Sequence, residues 1–270
     1  MGFLSLPTEL RLHILDYVYD QGPHAGFTLS VVPIKENRGS HRTFTGLILD
    51  CKYSPAAILN VRLACRCLRD ESTRMAFQRT AFVVRGHYEL SATRLRSLQH
   101  SQLLNLRNLI LVLEPYRLGL ITSWRYPFNT ANLRLDALTI TFTPTSSHDP
   151  STPDDFAVHN TVEIVGLLRR LENVKCLSFV QNATFPQKSF QTWYHKLVGL
   201  LLKEDHYQRY DAPGAPHIEA TWWDWNYNSD EKLFEFVARP AKPIFPEPEY
   251  MEGVAAPLVG RLMSEMEAAL

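Results

Sequence analysis

Side chains that could do chemistry are concentrated in a few short stretches of this chain. The segment "KEDH" (residues 203–206) places Glu204, Asp205 and His206 side by side, and these residue types serve as metal ligands and as acid–base catalysts. Successive helical residues point about 100 degrees apart, so the three side chains do not converge on one point. We therefore interpret the segment as a solvated helix end.

Two other stretches have a chemical and a structural interpretation. The spacing Cys65-x-Cys67 lacks the two intervening residues and the second pair of a zinc site, which favours buried structural thiols. In the strand-like "TWWDWNY" (221–227), Trp223 and Trp225 share one face and Trp222 the other. Such a strand is either an aromatic platform for a peptide or sugar or a core strand, and the core interpretation is favoured.

Sequence motifs of common enzymes are missing. The chain has 12 glycines, but none stands in the spacing of a dinucleotide-binding or phosphate-binding loop, and neither a G-x-S-x-G elbow nor an H-E-x-x-H helix occurs. We expect no catalytic residue, no metal and no cofactor, and hence a protein that is not an enzyme. An enzyme built from scattered residues such as His87, His195 and Asp224 is the least favoured alternative.

Composition indicates an ordinary globular protein. The chain has 270 residues, of which 45% are hydrophobic and 21% charged, so it can bury one large core or two small ones. Lysine plus arginine equals aspartate plus glutamate at 28 each, and this balance provides no overall field for binding nucleic acid or an anionic membrane.

The expected location is intracellular, cytoplasmic or nuclear. The four cysteines lie in apolar segments, and no apolar run follows a basic start as in a secretory signal. No stretch approaches the roughly 20 apolar residues that cross a bilayer. We expect reduced thiols and no membrane partner.

The opening segment "FLSLPTELRLHILDYVYD" (3–20) predicts an amphipathic helix that starts at Pro7, since a helix tolerates proline in its first turn. Leu6, Leu10, Ile14 and Tyr17 follow one another at spacings of four, four and three and form one apolar stripe. Val18 widens this stripe. A short helix with such a stripe must dock on something, in this chain or in another.

Further elements follow from periodicity and turn residues. Residues 21–54 are predicted to form a loop that carries one hairpin, with β-like runs at 27–32 and 47–51. Residues 55–78 are predicted to form one helix with arginines on its outer face, where Arg66 can pair with Asp70. Strands are predicted at 80–86, 109–113, 137–143, 174–180, 218–226 and 232–238. Helices are predicted at 90–104, 156–171, 188–207 and from 254 to the end, and a polar loop at 144–155.

A faint internal repeat bears on the fold class. "LRNLILVL" (106–113) and "LENVKCLSF" (171–179) share a leucine, an asparagine and an apolar strand. Their separation of about 65 residues is far longer than the 20 to 29 of leucine-rich repeats. We therefore predict a mixed α/β fold in which helix–strand units form a mixed sheet, and not a regular solenoid.

Two N-terminal segments resemble a known family. The string Leu6-Pro7-Thr8-Glu9-Leu10-Arg11-x-x-Ile14 resembles the start of an F-box. The string "LACRCLRDE" (63–71), followed by Phe77 and "TAF" (80–82), resembles the later helix and strand of the large fungal family of F-box-like proteins. The resemblance covers residues 3 to about 85.

This resemblance implies a function. In an F-box, apolar helix faces dock on the small adaptor subunit of a cullin ubiquitin ligase, and a C-terminal domain holds the protein substrate. The resemblance implies adaptor contacts at Leu6, Pro7, Leu10, Ile14, Leu63 and Leu68.

The implied organisation has three parts: an F-box-like region at 1–86 with an insert at about 21–54, an αβ recognition domain at 87–240, and a proline-rich segment with a short helix at 241–270. About 35 residues separate the two helices, whereas an F-box has a short connection. The alternative is an interaction or structural module of the same fold without an adaptor, in which Leu10 and Ile14 are buried in the monomer.

Overall fold

A computed structural model describes residues 2–22, 24–35, 41–85, 93, 95–114, 133–143, 153–184 and 187–268. Its α-helices are α1 (Thr8–Tyr19), α2 (Pro55–Leu59), α3 (Arg66–Arg79), α4 (His100–Asn105), α5 (Pro153–Arg170), α6 (Gln187–His206), α7 (Glu247–Tyr250) and α8 (Ala256–Glu267). Single 3-10 turns lie at Phe3–Ser5 and Asn60–Leu63, and π-helical turns at Tyr207–Asp211 and Met251–Ala255.

The strands are β1 (Phe27–Lys35), β2 (His41–Leu49), β3 (Ala81–Arg85), β4 (Asn108–Leu113), β5 (Leu135–Phe142), β6 (Val174–Val180), β7 (Trp222–Asn228) and β8 (Leu233–Arg239). Strands β1 and β2 form the hairpin predicted within 21–54, with Phe27 opposite Leu49. The other six form one sheet in the order β3-β4-β5-β6-β8-β7. Strands β3 to β6 are parallel, and β8 and β7 are antiparallel additions. The predicted mixed α/β class and mixed sheet are confirmed.

One face of the sheet carries the main core. The alternate residues Leu111, Ile140 and Phe179 lie in register on this face and are buried under the helices. Trp193 of α6 packs edge-on against Phe179, with ring centroids 5.3 Å apart. The continuous apolar run of β4, from Leu109 to Leu113, is typical of a strand that is covered on both faces.

The helix predicted over 55–78 is wrong as a single element. Cys65 has an extended backbone and caps α3, its sulfur accepting a hydrogen bond from the Leu68 amide at 3.4 Å. The chain before it forms α2 and the 3-10 turn instead. Cysteine is not one of the usual N-cap residues, because a thiol is a weak hydrogen-bond acceptor. The sequence therefore shows no sign of a new helix start at Cys65, and the apolar periodicity runs through the break.

Other boundaries differ by smaller amounts. Helix α5 begins at Pro153, inside the loop predicted over 144–155, since proline suits the first helical position; the rest of that loop lies outside the described residues. Part of the helix predicted over 90–104 also lies outside them, and α4 begins at His100. Helical structure near the C-terminus begins at Glu247 rather than at 254.

Candidate docking surface

Helix α1 is positioned by the side that it turns towards α3. Leu15 and Tyr19 are 2% and 0% exposed and form a small cluster with Ala76 of α3. The Tyr19 hydroxyl lies 3.2 Å from the Ser72 hydroxyl. Leu15 and Tyr19, spaced by four, therefore form the inward-facing stripe of α1. The sequence periodicity predicted a different stripe, the one through Leu10 and Ile14.

A partly buried ion pair fixes the start of the same helix. Arg11 is 8% exposed, and its Nε donates a hydrogen bond to Glu71 Oε2 at 3.0 Å, while Nη2 donates to the other carboxylate oxygen. Nη2 also donates to the Thr8 hydroxyl at 3.0 Å, and Nη1 donates to the Leu6 carbonyl. The hydrogen bond from Arg11 lowers the pKa of Glu71 and raises that of Arg11.

A second ion pair ties the other end of α1 to the end of α3. Arg79 Nε donates to Asp16 Oδ1 at 2.8 Å, and Nη2 donates to Oδ2 at 3.1 Å. Helix α1 is therefore held at two points by bidentate arginine–carboxylate pairs, a geometry that fixes orientation as well as distance.

This orientation leaves the predicted apolar stripe in solvent. Leu10, Ile14, Tyr17 and Val18 expose 52%, 41%, 83% and 49% of their surface. The expectation that Leu10 and Ile14 close over the core of the monomer is therefore wrong. We call Leu10, Ile14, Tyr17 and Val18 the outer stripe of α1.

The remaining predicted contact residues lie in different environments. Pro7 is exposed and is the N-cap of α1, one residue before the helix, and Leu6 is half-buried. Leu63 is 78% exposed at the end of a 3-10 turn. Leu68 is half-buried against the cluster of Leu15 and Tyr19, so its side chain contributes to the core under α1.

The arginines predicted on the outer face of α3 are only partly paired. Arg66 and Arg74 are exposed, and neither forms an ion pair with a residue that the structure describes. The expected pair of Arg66 with Asp70 is replaced by Arg69, whose Nε lies 3.5 Å from Asp70 Oδ1. Arg62 is held differently, with Nε donating to the Thr73 hydroxyl at 3.1 Å.

The interpretation of residues 203–206 as a solvated helix end is wrong for Asp205, which is 1% exposed. Arg209, 3% exposed, donates through Nε to Asp205 Oδ1 at 3.1 Å and through Nη2 to the Glu219 carboxylate at 2.6 and 2.7 Å. Arg169 Nη1 donates to Asp205 as well, at 3.1 Å, and Tyr250 donates to its Oδ2. The i, i+4 spacing of Asp205 and Arg209 was a readable signal for this pair.

This buried network connects distant parts of the chain. Arg209 Nη1 donates to the Pro243 carbonyl at 3.1 Å, which holds the proline-rich segment against α6. Desolvation together with the bond to Asp205 raises the pKa of Tyr250. Each charge has a partner, so removal of any one of them would leave an uncompensated buried charge.

The tryptophan strand belongs to the core, as favoured from the sequence. Trp222, Trp223 and Trp225 are 7%, 1% and 1% exposed. Trp223 Nε1 donates to the Leu168 carbonyl of α5 at 2.8 Å. An aromatic platform on this strand is therefore not available to a ligand.

The expectation of buried structural thiols at Cys65 and Cys67 is wrong. Cys67 is exposed with its sulfur 3.3 Å from Glu71 Oε1, and Cys65 is half-buried at its N-cap position. Cys51 is exposed and Cys176 half-buried, and all four thiols are free.

Residues of the enzyme alternative make separate contacts. Burial lowers the pKa of His195 on α6, and Asp224 on β7 accepts a hydrogen bond from Arg261 Nη1 at 3.1 Å. His87 lies outside the described residues. Among the described residues, no group of three or more His, Cys, Asp or Glu side chains could hold a metal ion.

A groove of about 520 Å³ lies between α5 and α6. Its walls include Val162, Val165, Leu200 and Tyr207, and His206 at its rim lies 3.4 Å from Asp211 and 3.2 Å from Glu247. His206 therefore contacts two carboxylates at this rim.

Comparisons place no known protein beside this one: no family model, no curated protein and no solved structure matches the chain. Fold and site define a mixed α/β protein with a helical N-terminal segment whose outer stripe is apolar and exposed. Within the described ranges, no helix is both long and apolar enough to span a membrane.

Proposed function

We propose that this protein is an F-box-like substrate adaptor whose outer stripe of α1 binds the small adaptor subunit of a cullin ubiquitin ligase. The proposal combines the resemblance at Leu6-Pro7-x-Glu9-Leu10 with one observation. Leu10 and Ile14 are exposed on a helix whose opposite side is held against α3.

Covering the exposed stripe by a partner would contribute favourable binding free energy. Covering half-exposed leucine and isoleucine side chains contributes about 1–2 kcal/mol each, at roughly 25 cal/mol per Å² of apolar surface. The two ion pairs Arg11–Glu71 and Asp16–Arg79 keep α1 from rotating this surface inward. A rigid helix with an apolar outer stripe loses little entropy when it docks in a groove.

The arginines near Leu63 favour a partner surface of opposite charge. Leu63 is exposed and lies in sequence between Arg62 and Arg66, and Arg74 is an exposed cation of the same helical region. A partner surface with an apolar socket and a rim of carboxylates complements this arrangement.

The second candidate is an interaction module of the same fold that binds another protein through the same stripe. It shares the exposed surface and differs in the partner, so binding to the ligase adaptor separates the two. An enzyme is not favoured, because the paired charges around Asp205 leave no free acid or base there.

Co-expression with the small adaptor subunit of a fungal cullin ligase tests the proposal. The comparison uses the wild type, the double variant Leu10→Asp and Ile14→Asp, and a control double variant Val259→Asp and Met263→Asp. The control residues are 46% and 50% exposed on α8 at the same spacing of four. We expect the wild type and the control to retain the adaptor during purification and the α1 variant to lose it while remaining folded. A folded wild type that fails to retain the adaptor overturns the ligase proposal and favours the interaction module.

A further inference from the structure

Strand β1 leaves one edge of the two-stranded hairpin without a neighbouring strand. In the antiparallel pair of β1 with β2, Leu29 lies opposite Leu47. The Leu47 N–H donates away from β1, to the Glu231 carbonyl at 2.9 Å, so Leu29 and Leu47 form one of the non-hydrogen-bonded pairs of this ladder. The backbone N–H and C=O groups of Leu29, and by alternation those of Val31, therefore point outward from β1.

This outward side of β1, from Leu29 to Val31, is called the free edge. Neither of its two outward N–H groups donates a hydrogen bond to a residue that the structure describes. The outward positions on both sides of it provide no further donor, because the Phe27 N–H donates to the His24 carbonyl at 2.8 Å and Pro33 has no N–H. Unpaired backbone groups along the edge of a strand are a template for pairing with another chain.

The side chains of the free edge are apolar and exposed. Leu29 and Val31 expose 64% and 66% of their surface. The sequence from Phe27 to Pro33 contains no charged residue, although charged side chains are a common protection of strand edges against pairing. A two-stranded sheet is also only marginally stable, since three or more strands are normally needed. Addition of a further strand to β1 therefore satisfies backbone donors and covers apolar surface at once.

We propose that the free edge binds a second copy of this chain, with β1 antiparallel to β1 about a twofold axis at Ser30. In this register, Leu29 of one copy lies opposite Val31 of the other, and both present outward backbone groups, so they form hydrogen-bonded pairs. Each copy contributes two N–H donors, and each donor meets a carbonyl of the other copy. The two hairpins then form one continuous sheet in the order β2-β1-β1-β2.

Two observations favour a second copy over a different protein as the occupant. The free edge is self-complementary, because the twofold register places the apolar Leu29 and Val31 side chains opposite each other. Lysine plus arginine equals aspartate plus glutamate at 28 each, so net charge does not keep two copies apart. The inference goes beyond the proposed function, since it concerns β1 and requires no ligase adaptor.

Sedimentation velocity of the full-length protein at concentrations from about 1 to 300 μM tests the association. We expect the wild type to form a dimer within this range. The double variant Leu29→Lys and Val31→Lys brings like charges together at the edge and should weaken the dimer Kd by at least roughly tenfold, with an unchanged Tm. Ile244→Lys is the control, because Ile244 is 62% exposed and lies in the proline-rich segment. It should leave the dimer Kd unchanged.

Cross-linking through introduced cysteines tests the register. At the twofold axis, Ser30 of one copy faces Ser30 of the other in a non-hydrogen-bonded pair with Cα atoms about 4.5 Å apart, which is within disulfide range. The two copies of Thr28 lie about 13 Å apart along the strands, too far for a disulfide. With oxidised glutathione as the oxidant, we expect Ser30→Cys to form a disulfide between copies and Thr28→Cys not to do so. Peptide mass mapping distinguishes this bond from disulfides of the native thiols.

A wild type that stays monomeric over the whole concentration range overturns the inference. A dimer that the double lysine variant leaves unchanged, or equal cross-linking of Ser30→Cys and Thr28→Cys, overturns it as well. Sedimentation of the wild type needs no variant, so a poorly folded variant leaves the test intact. Because none of these measurements involves α1, failure here is distinguishable from failure of adaptor binding.

Discussion

Arg11 of α1 and Glu71 of α3 form a partly buried, bidentate ion pair across sixty residues of sequence. Arg11 also donates to the Leu6 carbonyl, and Leu15, four residues further along α1, is buried. It fixes the rotation of α1 about its own axis, and this rotation decides which apolar residues face solvent.

Loss of this pair is expected to be pH-dependent. The pKa of Glu71 is lowered in the folded protein by its bond to Arg11, so its contribution to stability is present above its unfolded pKa of about 4.3 and disappears as the pH falls through the folded value. We expect Glu71→Gln to lower Tm at neutral pH and to differ progressively less from the wild type below about pH 4. Thermal unfolding followed by circular dichroism across this range measures it, and a Tm difference that persists in acid contradicts the assignment.

The buried network around Arg209 predicts a much larger effect. Arg209→Met leaves Asp205 and Glu219 as buried carboxylates without their main partner, and breaking a buried pair in this way costs about 3–5 kcal/mol. Urea unfolding measures the free energy of unfolding. Arg239→Met is the matched control, since Arg239 is 58% exposed and its contact with Asp224 is long, at 3.9 Å. This variant should lower the free energy of unfolding by less than about 1 kcal/mol.

The tryptophan strand is expected to behave as core. Trp225→Ala removes a 1% exposed side chain and should cost about 3–5 kcal/mol in the free energy of unfolding. Tyr17→Ala, at an 83% exposed aromatic residue, should change it by less than about 0.5 kcal/mol. A Trp225→Ala protein as stable as the wild type would contradict the packing.

Close packing at Gly46 holds the hairpin on the sheet. A Cβ atom there would lie 2.8 Å from Lys232 Cγ and 3.0 Å from the Glu231 carbonyl oxygen, which itself accepts from the Leu47 amide at 2.9 Å. We expect Gly46→Val to displace the hairpin and to speed amide exchange at Leu47 and Leu49 by at least roughly tenfold, from the loss of about 1.4 kcal/mol or more of local stability. Hydrogen–deuterium exchange tests this, and unchanged protection at these amides would contradict it. Thr45→Val, on the exposed neighbouring position, is the control.

Strands and long helices could be predicted because their signals are local. The continuous apolar run of β4 and the periodic faces of α5 and α6 are typical of elements that cover one another. The break at Cys65 was missed because a thiol cap leaves no familiar sequence pattern.

The facing of α1 and the surroundings of Asp205 depend on partners distant in sequence. Helix α1 carries apolar residues on two sides, so the stripe through Leu10 and Ile14 and the stripe through Leu15 and Tyr19 were equally periodic. The long-range pairs of Arg11 with Glu71 and of Arg79 with Asp16 select between them. Asp205 accepts directly from Tyr250 and shares Arg209 with Glu219. The spacing to Arg209 is local, but Glu219 and Tyr250 lie beyond α6, so the periodicity of this helix does not reveal them.

The most direct test of the docking account is calorimetric titration of the purified protein with the small adaptor subunit of a fungal cullin ligase. We predict measurable binding by the wild type and a Kd at least about 100-fold weaker for the Leu10→Asp, Ile14→Asp double variant, equivalent to about 2.7 kcal/mol, with an unchanged Tm. Absence of binding by the folded wild type, or an equal Kd for the folded double variant, would contradict the account.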